Sequence, residues 1–291
     1  MLNCRSLVPS ACLALCLALG TLPLHAQQTD AHAPIHYHYP RGRTTPQATG
    51  LPQFNVTFHG GPVQTTTTSY AIYWKPSGVF INRTYRQVID QFLSDVGGSD
   101  IYGAATEYSG NNGQVQNVST FGGEYVDTAP YPPVITTKNI EDTIQRAIAV
   151  NGWQPSITAQ YFLMFGDGPQ VGACAYHTFF NLNGQPVIYA VIPYFTEKDA
   201  DGCGAPFGIT PNANYSADTA IGNLSHEQTE MVTDPLLNAW YDPRNGEVGD
   251  ICIYSYGVPF TSKFGNLLAN GDQYIVQEEW SQVKQSCQPN L

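Results

Sequence analysis

Two apolar segments constrain the fold of this chain more than any other feature of its sequence. They are residues 157–165, ITAQYFLMF, and residues 187–194, VIYAVIPY. Each is an almost unbroken run of aliphatic and aromatic residues of strand length, a pattern typical of β-strands that are buried on both faces. We therefore expect both segments to be central strands of a sheet.

The rest of the chain predicts a mixture of strands and helices. Aromatic and β-branched residues predict further strands at residues 54–59, 69–75, 114–121 and 274–280. Apolar residues at helical spacing predict helices at residues 85–96, 140–150 and 218–233. Asp218 is the expected N-cap of the last helix, and Asp234-Pro235 ends it. Because strands and helices interleave without a regular βα repeat, we predict an α+β fold with a mixed β-sheet.

The chain is expected to contain one folded domain, residues 53–291. Residues 1–26 have a basic Arg5, an apolar core and a small-residue site before Gln27, which is the pattern of a secretory signal peptide. The apolar core is too short to span a membrane. Residues 27–52 show little apolar periodicity and predict a disordered leader or pro-segment, although its histidines His32, His36 and His38 could chelate a metal weakly. We expect a secreted monomer, extracellular or periplasmic, without a membrane partner.

The charge of the chain argues against nucleic acid and anionic lipid as partners. The formal net charge is −11, and removal of residues 1–26 takes away one positive charge and no acid, which gives −11 − 1 = −12. An acidic surface with few Lys and Arg residues repels phosphate groups. It is compatible with cations, although solubility alone is a sufficient explanation of the acidity.

Cysteine usage predicts two disulfides. Three of the seven cysteines lie in the predicted signal peptide, and the other four are Cys174, Cys203, Cys252 and Cys287. An even count in an exported chain favours disulfides, with three possible pairings. Cys252 follows the acidic stretch EVGD and Cys287 follows the last predicted strand. We predict that these two pair and that Cys174 therefore pairs with Cys203.

Residues 224–235, LSHEQTEMVTDP, contain the most distinctive chemical motif. His226 and Glu230 are four residues apart and would project from one face of the predicted helix. Zinc accepts both imidazole nitrogen and carboxylate oxygen, so both residues are candidate ligands. Glu227 would lie beside the ion, where a general base can take a proton from water. The alternative is a polar helix without a metal, because such short motifs also arise by chance.

Three further residues are candidates for the same site. His177 follows an apolar strand and a Gly-rich turn, and we expect it to stabilise the oxyanion formed when water attacks a carbonyl. Glu247 and Asp250 lie in a predicted turn before a strand, ICIY. We predict that Glu247 is the third zinc ligand and that Asp250 accepts a hydrogen bond from the other nitrogen of His226. The acidic segment 242–250 also has the oxygen density of a calcium site, without the EF-hand spacing.

Several short motifs follow one another along the chain: HGGPV, IYWK, CAYH, CGAPF, SHEQTEMVTDPLLNAWYD, EVGDIC and YIVQEEW before a final cysteine. Their order resembles the EXORDIUM family of phosphate-induced proteins, which are secreted plant proteins with bacterial relatives. This resemblance implies an extracellular or cell-wall location and a link to growth control, without a defined activity. The motif helix also resembles the active-site helix of zincin peptidases, from which it differs at Glu230.

Two functions remain open at this point. The first is a secreted zinc-dependent hydrolase, a metallopeptidase that uses metal-activated water on a peptide or protein substrate. The second is a non-catalytic binding or signalling protein of the extracellular space or cell wall, with a structural metal site or none. The metal content of the protein separates the two hypotheses.

Overall fold

The computed structural model describes residues 36–38, 55–197, 200–204, 209–257 and 265–288. All of them belong to one unit, Ala33–Leu291. The predicted signal peptide, residues 1–26, lies outside the described residues, as does the predicted leader apart from His36–His38. Among the residues described, no helix is both long and apolar enough to cross a membrane.

The secondary structure is mixed. The strands are β1 His36–His38, β2 Thr57–Phe58, β3 Thr67–Trp74, β4 Ser109–Gly110, β5 Gly113–Gln114, β6 Ser119–Asp127, β7 Ala159–Phe165, β8 Ala175–Leu182, β9 Gln185–Ile192, β10 Trp240–Tyr241, β11 Leu267–Ala269, β12 Asp272–Tyr274, β13 Glu279–Ser281 and β14 Ser286–Gln288. The α-helices are α1 Tyr85–Asp95, α2 Asp100–Ala104, α3 Thr137–Asn151, α4 Ala200–Cys203 and α5 Tyr215–Thr233. Two short 3-10 turns cover Ala105–Glu107 and Asp250–Cys252.

A six-stranded sheet with the order β1-β8-β9-β7-β3-β6 forms the centre of the fold. Strands β6, β3, β7 and β9 run parallel, whereas β8 and β1 are antiparallel to their neighbours. Helix α1 connects β3 to β6 and α3 connects β6 to β7, as parallel crossovers require. The two apolar segments form β7 and β9, each flanked on both sides. The predicted α+β fold with a mixed sheet is confirmed.

Side chains of the central strands alternate between two hydrophobic cores. On β7, Phe162 and Met164 pack in the core that includes α1 and α5. Tyr161 and Leu163 face the other way, into the core that includes α3. The sheet is thus covered by helices on both faces, because β-strand side chains point alternately up and down. This arrangement places α5, which carries the motif His226-Glu227-x-x-Glu230 (HExxE), against one face of the sheet.

Helix α5 begins three residues before the predicted start. Its N-cap is Asn214, whose side chain accepts a hydrogen bond from the Ala217 N–H, so the prediction of Asp218 as the cap is wrong. Asp218 lies in the first turn and accepts a hydrogen bond of 2.7 Å from the Asn212 side chain. At the other end, Asp234 Oδ1 accepts hydrogen bonds from the N–H groups of Asn238 and Ala239. These contacts turn the chain away from the helix axis.

Asp218 should make stability depend on pH. Burial raises its pKa to about 6, above the value of about 3.9 in an unfolded chain. The folded state therefore binds more protons between these two values, and stability falls as pH rises through this window, by about 3 kcal/mol at most. We expect Asp218→Asn to flatten that slope in chemical denaturation from pH 4 to 7. Asp142→Asn, which removes an exposed carboxylate of α3 paired with Lys138, should leave the slope as in the wild type.

Two predicted strands near the end of the chain are wrong. Residues 274–280 do not form one strand, because β12 ends at Tyr274 and β13 begins at Glu279. Between them, the Val276 N–H donates to the side chain of Asn266 and the Glu278 N–H donates to the Ser255 carbonyl. The predicted strand ICIY is replaced by the 3-10 turn Asp250–Cys252.

The two predicted disulfides are confirmed. Cys174 is bonded to Cys203, which joins the residue before β8 to α4. Cys252 is bonded to Cys287, which joins the second 3-10 turn to β14. Both bonds attach segments that lie near the HExxE helix to the rest of the domain.

Candidate metal centre

The structure brings all six predicted site residues together. Helix α5 supplies His226, Glu227 and Glu230, while β8 supplies His177. Glu247 and Asp250 come from the loop that follows β10. The side chains are buried, with 0–2% of their area exposed, except that of Asp250 at 20%.

Two carboxylates converge on one nitrogen of His226. Its Nε2 atom lies 3.2 Å from Glu230 Oε1 and 3.7 Å from Asp250 Oδ1. The Asp250 N–H also donates to Glu230 Oε1, at 2.9 Å. Ligand atoms of these three residues all lie within 4.8 Å of one another. Bond lengths to zinc imply ligand-to-ligand distances of about 3.3–3.5 Å in a tetrahedral site, and the two distances from Nε2, 3.2 and 3.7 Å, lie close to that range.

The second histidine has carboxylates on opposite sides of its ring. His177 Nδ1 is 3.0 Å from Glu227 Oε2 and 3.4 Å from Glu230 Oε2, whereas its Nε2 is 3.5 Å from Glu247 Oε1. His177, Glu230 and Glu247 also form a group of potential ligands. Their closest contacts involve two different nitrogens, however, and one ion can bind only one of them. This group is therefore less suited to a single ion than the group around His226.

The geometry differs from the predicted roles of three residues. Glu247 lies against His177, and Asp250 approaches the same nitrogen of His226 as Glu230 does. Both nitrogens of His177 face carboxylates, which leaves neither directed at an oxyanion. Those roles were predicted for a turn that leads into the strand ICIY, with the longer Glu247 reaching the ion. In the structure the loop leads instead into the 3-10 turn Asp250–Cys252, and the Glu247 N–H donates to Asp250 Oδ2 at 3.1 Å.

Three more buried residues belong to this region, and the predicted site did not include them. Glu279 on β13 is 1% exposed and interacts electrostatically with His226. Asp234 at the end of α5 interacts in the same way with Glu247. His38 on β1 stacks on the ring of His226. The sequence analysis gave these residues other roles: Glu279 in a strand, Asp234 at the end of a helix and His38 in a disordered leader. The prediction of disorder is wrong for His36–His38, which form β1.

The buried cluster contains more acids than bases. Its six carboxyl groups are Glu227, Glu230, Asp234, Glu247, Asp250 and Glu279, and its three imidazoles are His38, His177 and His226. Buried charge of one sign is costly, so the excess must be neutralised by protons or by a cation.

Shifted pKa values reflect the same excess of acid. Burial raises the pKa of Asp250 to about 8 and that of Asp234 to about 7. Burial also raises the pKa of Glu227. For His226, burial lowers the pKa, but the neighbouring carboxylates, Glu230 above all, outweigh it and raise the pKa to about 10. A divalent cation in this position would take the place of these protons.

Comparison with known proteins identifies two similar plant proteins. EXORDIUM-like 5 of Arabidopsis thaliana is 25% identical over 70% of this chain and 65% of its own length. EXORDIUM-like 3 of the same plant is 27% identical over 40% of this chain and 43% of its own length. The chain thus spans less than two thirds of either relative. No protein-family model and no solved structure matches the chain. The two matches agree with the resemblance of this sequence to the EXORDIUM family.

Proposed function

We propose that this protein is a secreted zinc-dependent hydrolase of the metallopeptidase type, acting on a peptide or protein. The observation that supports this proposal is the convergence of Glu230 and Asp250 on Nε2 of His226 inside a buried, acid-rich cluster. The imidazole donor favours zinc over calcium, which takes oxygen ligands. Two disulfides fit the oxidising compartment of a secreted protein.

In the proposed site, His226, Glu230 and Asp250 hold the ion. Zinc bound there would supply a Lewis acid that polarises a carbonyl and acidifies water. Glu227 is suited to the role of general base because its Oε1 atom is buried without a hydrogen-bonding partner among the described residues. Burial raises its pKa, which favours proton transfer near neutral pH. It would accept the proton of the attacking water and deliver it to the leaving amine.

His177 is proposed as a positioning residue. Its Nδ1 atom lies 3.0 Å from Glu227 Oε2, so it fixes the carboxylate and leaves Oε1 available. Glu247 on the other side of the ring holds the imidazole in that orientation.

Asp250 therefore replaces Glu247 as the proposed third ligand. We expect Asp250→Ala to remove zinc almost completely, whereas Glu247→Ala should weaken zinc binding by roughly 10–100-fold through His177. The reverse order, measured by competition with a chelating dye, would identify Glu247 as the ligand.

Metal analysis tests the proposal most directly. Protein purified without chelator should contain about one zinc per chain. It should hydrolyse a fluorescent casein substrate, and this activity should be lost when zinc is removed and recovered when zinc is added back. A protein without zinc, or one whose hydrolysis is indifferent to chelation, would contradict the proposal.

A second candidate function is a non-catalytic binding or signalling protein of the extracellular space or cell wall, whose partner is a wall component. The burial of the site favours it, because His177 and His226 have 0% exposed side chains and a structural metal site is closed in the same way. Stoichiometric zinc that stabilises the fold without any hydrolysis would support this candidate instead.

A further inference from the structure

Strand β1 covers the candidate metal centre. It pairs antiparallel with β8, with His36 opposite His177, Tyr37 opposite Tyr176 and His38 opposite Ala175. The pairing continues through a hydrogen bond of 2.6 Å from the Cys174 N–H to the His38 carbonyl. Because β1 is the outermost strand of the sheet, β8 would have an unpaired edge without it among the residues described.

The side chain of His38 lies directly on the site. It is 1% exposed, and its ring stacks on that of His226 with centroids 4.3 Å apart and planes at 23°. The ring of Tyr254 lies 5.5 Å away on a tilted plane. Potential ligand atoms of His38, His226 and Glu227 fall within 4.8 Å of one another. His38 therefore covers one face of the His226 ring, and His226 and Glu227 are themselves buried, with 0% and 1% of their area exposed.

The pairing is of a kind that another peptide can replace. An extended peptide adds to an exposed sheet edge mainly through backbone hydrogen bonds, and alternate side chains enter pockets beside that edge. In the described part of the chain, β1 pairs with β8 at three residues, through backbone contacts that other extended peptides can also make. His38 fills a pocket formed by His226, Tyr254 and Gln277, whose Nε2 is 3.5 Å from Nε2 of His38.

We propose that β1 is an autoinhibitory strand and that the edge of β8 is the binding site for an extended peptide. The peptide would run antiparallel to β8, and its residue opposite Ala175 would enter the pocket that His38 now occupies. Cleavage of the bound peptide rests on the hydrolase function proposed above, whereas binding of the peptide to the edge of β8 does not.

Peptide binding to the full-length protein, purified without chelator, tests this proposal. The probe is a fluorescein-labelled synthetic peptide with the sequence of residues 34–40, PIHYHYP. We expect His38→Ala to bind the probe at least tenfold more tightly than the wild type, because the internal competitor is weakened. Hydrolysis of fluorescent casein should rise at least tenfold in the same variant. The matched control is His59→Ala, which removes an exposed histidine stacked on Tyr241 and should behave as the wild type.

Hydrogen exchange separates opening of the edge from loss of the fold. In His38→Ala, amides of β8 should exchange faster while those of β7 keep their protection. If β7 also loses protection in His38→Ala, the variant His38→Gln is used in its place. Glutamine loses the ring stack but retains an amide for Gln277, and the same increases in probe affinity and casein hydrolysis are expected.

The outcomes are distinct for the two proposals. Probe affinity within twofold of the wild type in a folded variant, or a loss of casein hydrolysis, would overturn the autoinhibitory role of β1. Tighter probe binding in a protein that contains no zinc and hydrolyses nothing would uphold the peptide-binding edge and reject the hydrolase.

Discussion

Replacement of Glu227 by glutamine is expected to reduce hydrolysis by roughly 10²–10⁴-fold, the usual contribution of a general base. Glutamine retains an oxygen that can accept the hydrogen bond from His177 Nδ1, now at 3.0 Å, but it cannot take up a proton from water. Zinc content and thermal stability should remain those of the wild type. Initial rates on fluorescent casein, together with metal analysis of the same preparation, provide the measurement.

His226→Ala is the informative partner of this variant. It removes the nitrogen on which Glu230 and Asp250 converge, so it should lose zinc as well as activity. A Glu227→Gln protein with full activity would exclude Glu227 as the base. Retention of zinc by His226→Ala would exclude His226 as a ligand, whatever the effect on hydrolysis.

Alanine at Gly249 is expected to lower zinc affinity by roughly 10–100-fold, the effect of displacing groups that orient metal ligands. The backbone of Gly249, with φ −77° and ψ −42°, is helical and accepts any residue. A Cβ atom there would lie 2.9 Å from both Glu230 Oε1 and His226 Nδ1, closer than carbon normally approaches either atom. The two side chains must therefore move, and the metal centre is disturbed while the backbone is not.

Gly222→Ala is the matched control for that variant. Gly222 lies on α5, and the nearest atom to an added Cβ is the Ile275 carbonyl oxygen at an ordinary 3.5 Å. This change should leave zinc binding intact and stabilise the helix by about 0.5–1 kcal/mol. Equal zinc affinities for Gly249→Ala and the wild type, measured by dye competition, would show that the ion does not lie beside Gly249.

The sequence predicted strands β3, β7 and β9 of the central sheet because they carry strong local patterns, whereas β1 and β8 were not predicted. The apolar runs of β7 and β9 leave little alternative to buried strands, and the helical spacing in α1 is equally clear. Both disulfides were paired correctly, although the strand predicted before Cys287 is divided in the structure. These features depend on short stretches of chain, which sequence patterns report directly.

The candidate site was harder to predict because its details depend on contacts between distant segments. The motif on α5 identified His226, Glu227 and Glu230, yet the orientation of Glu247 and Asp250 follows from a 3-10 turn that no apolar pattern marks. Glu279 reaches the site because the Trp280 N–H donates to the Val248 carbonyl at 3.2 Å. Similarly, the contact of His38 with a ring nearly two hundred residues later in the chain has no local signal in the sequence.

The Cys252–Cys287 bond has a consequence for the timing of activity. It joins the turn that holds Asp250 to the strand that follows Glu279, so oxidation of these thiols stabilises two walls of the metal centre together. In a reducing cytosol the two thiols would not form the disulfide, and the turn that carries Asp250 would lack its covalent link to β14. Under the proposed function, export would therefore restrict metal binding and hydrolysis to the oxidising environment outside the cell interior.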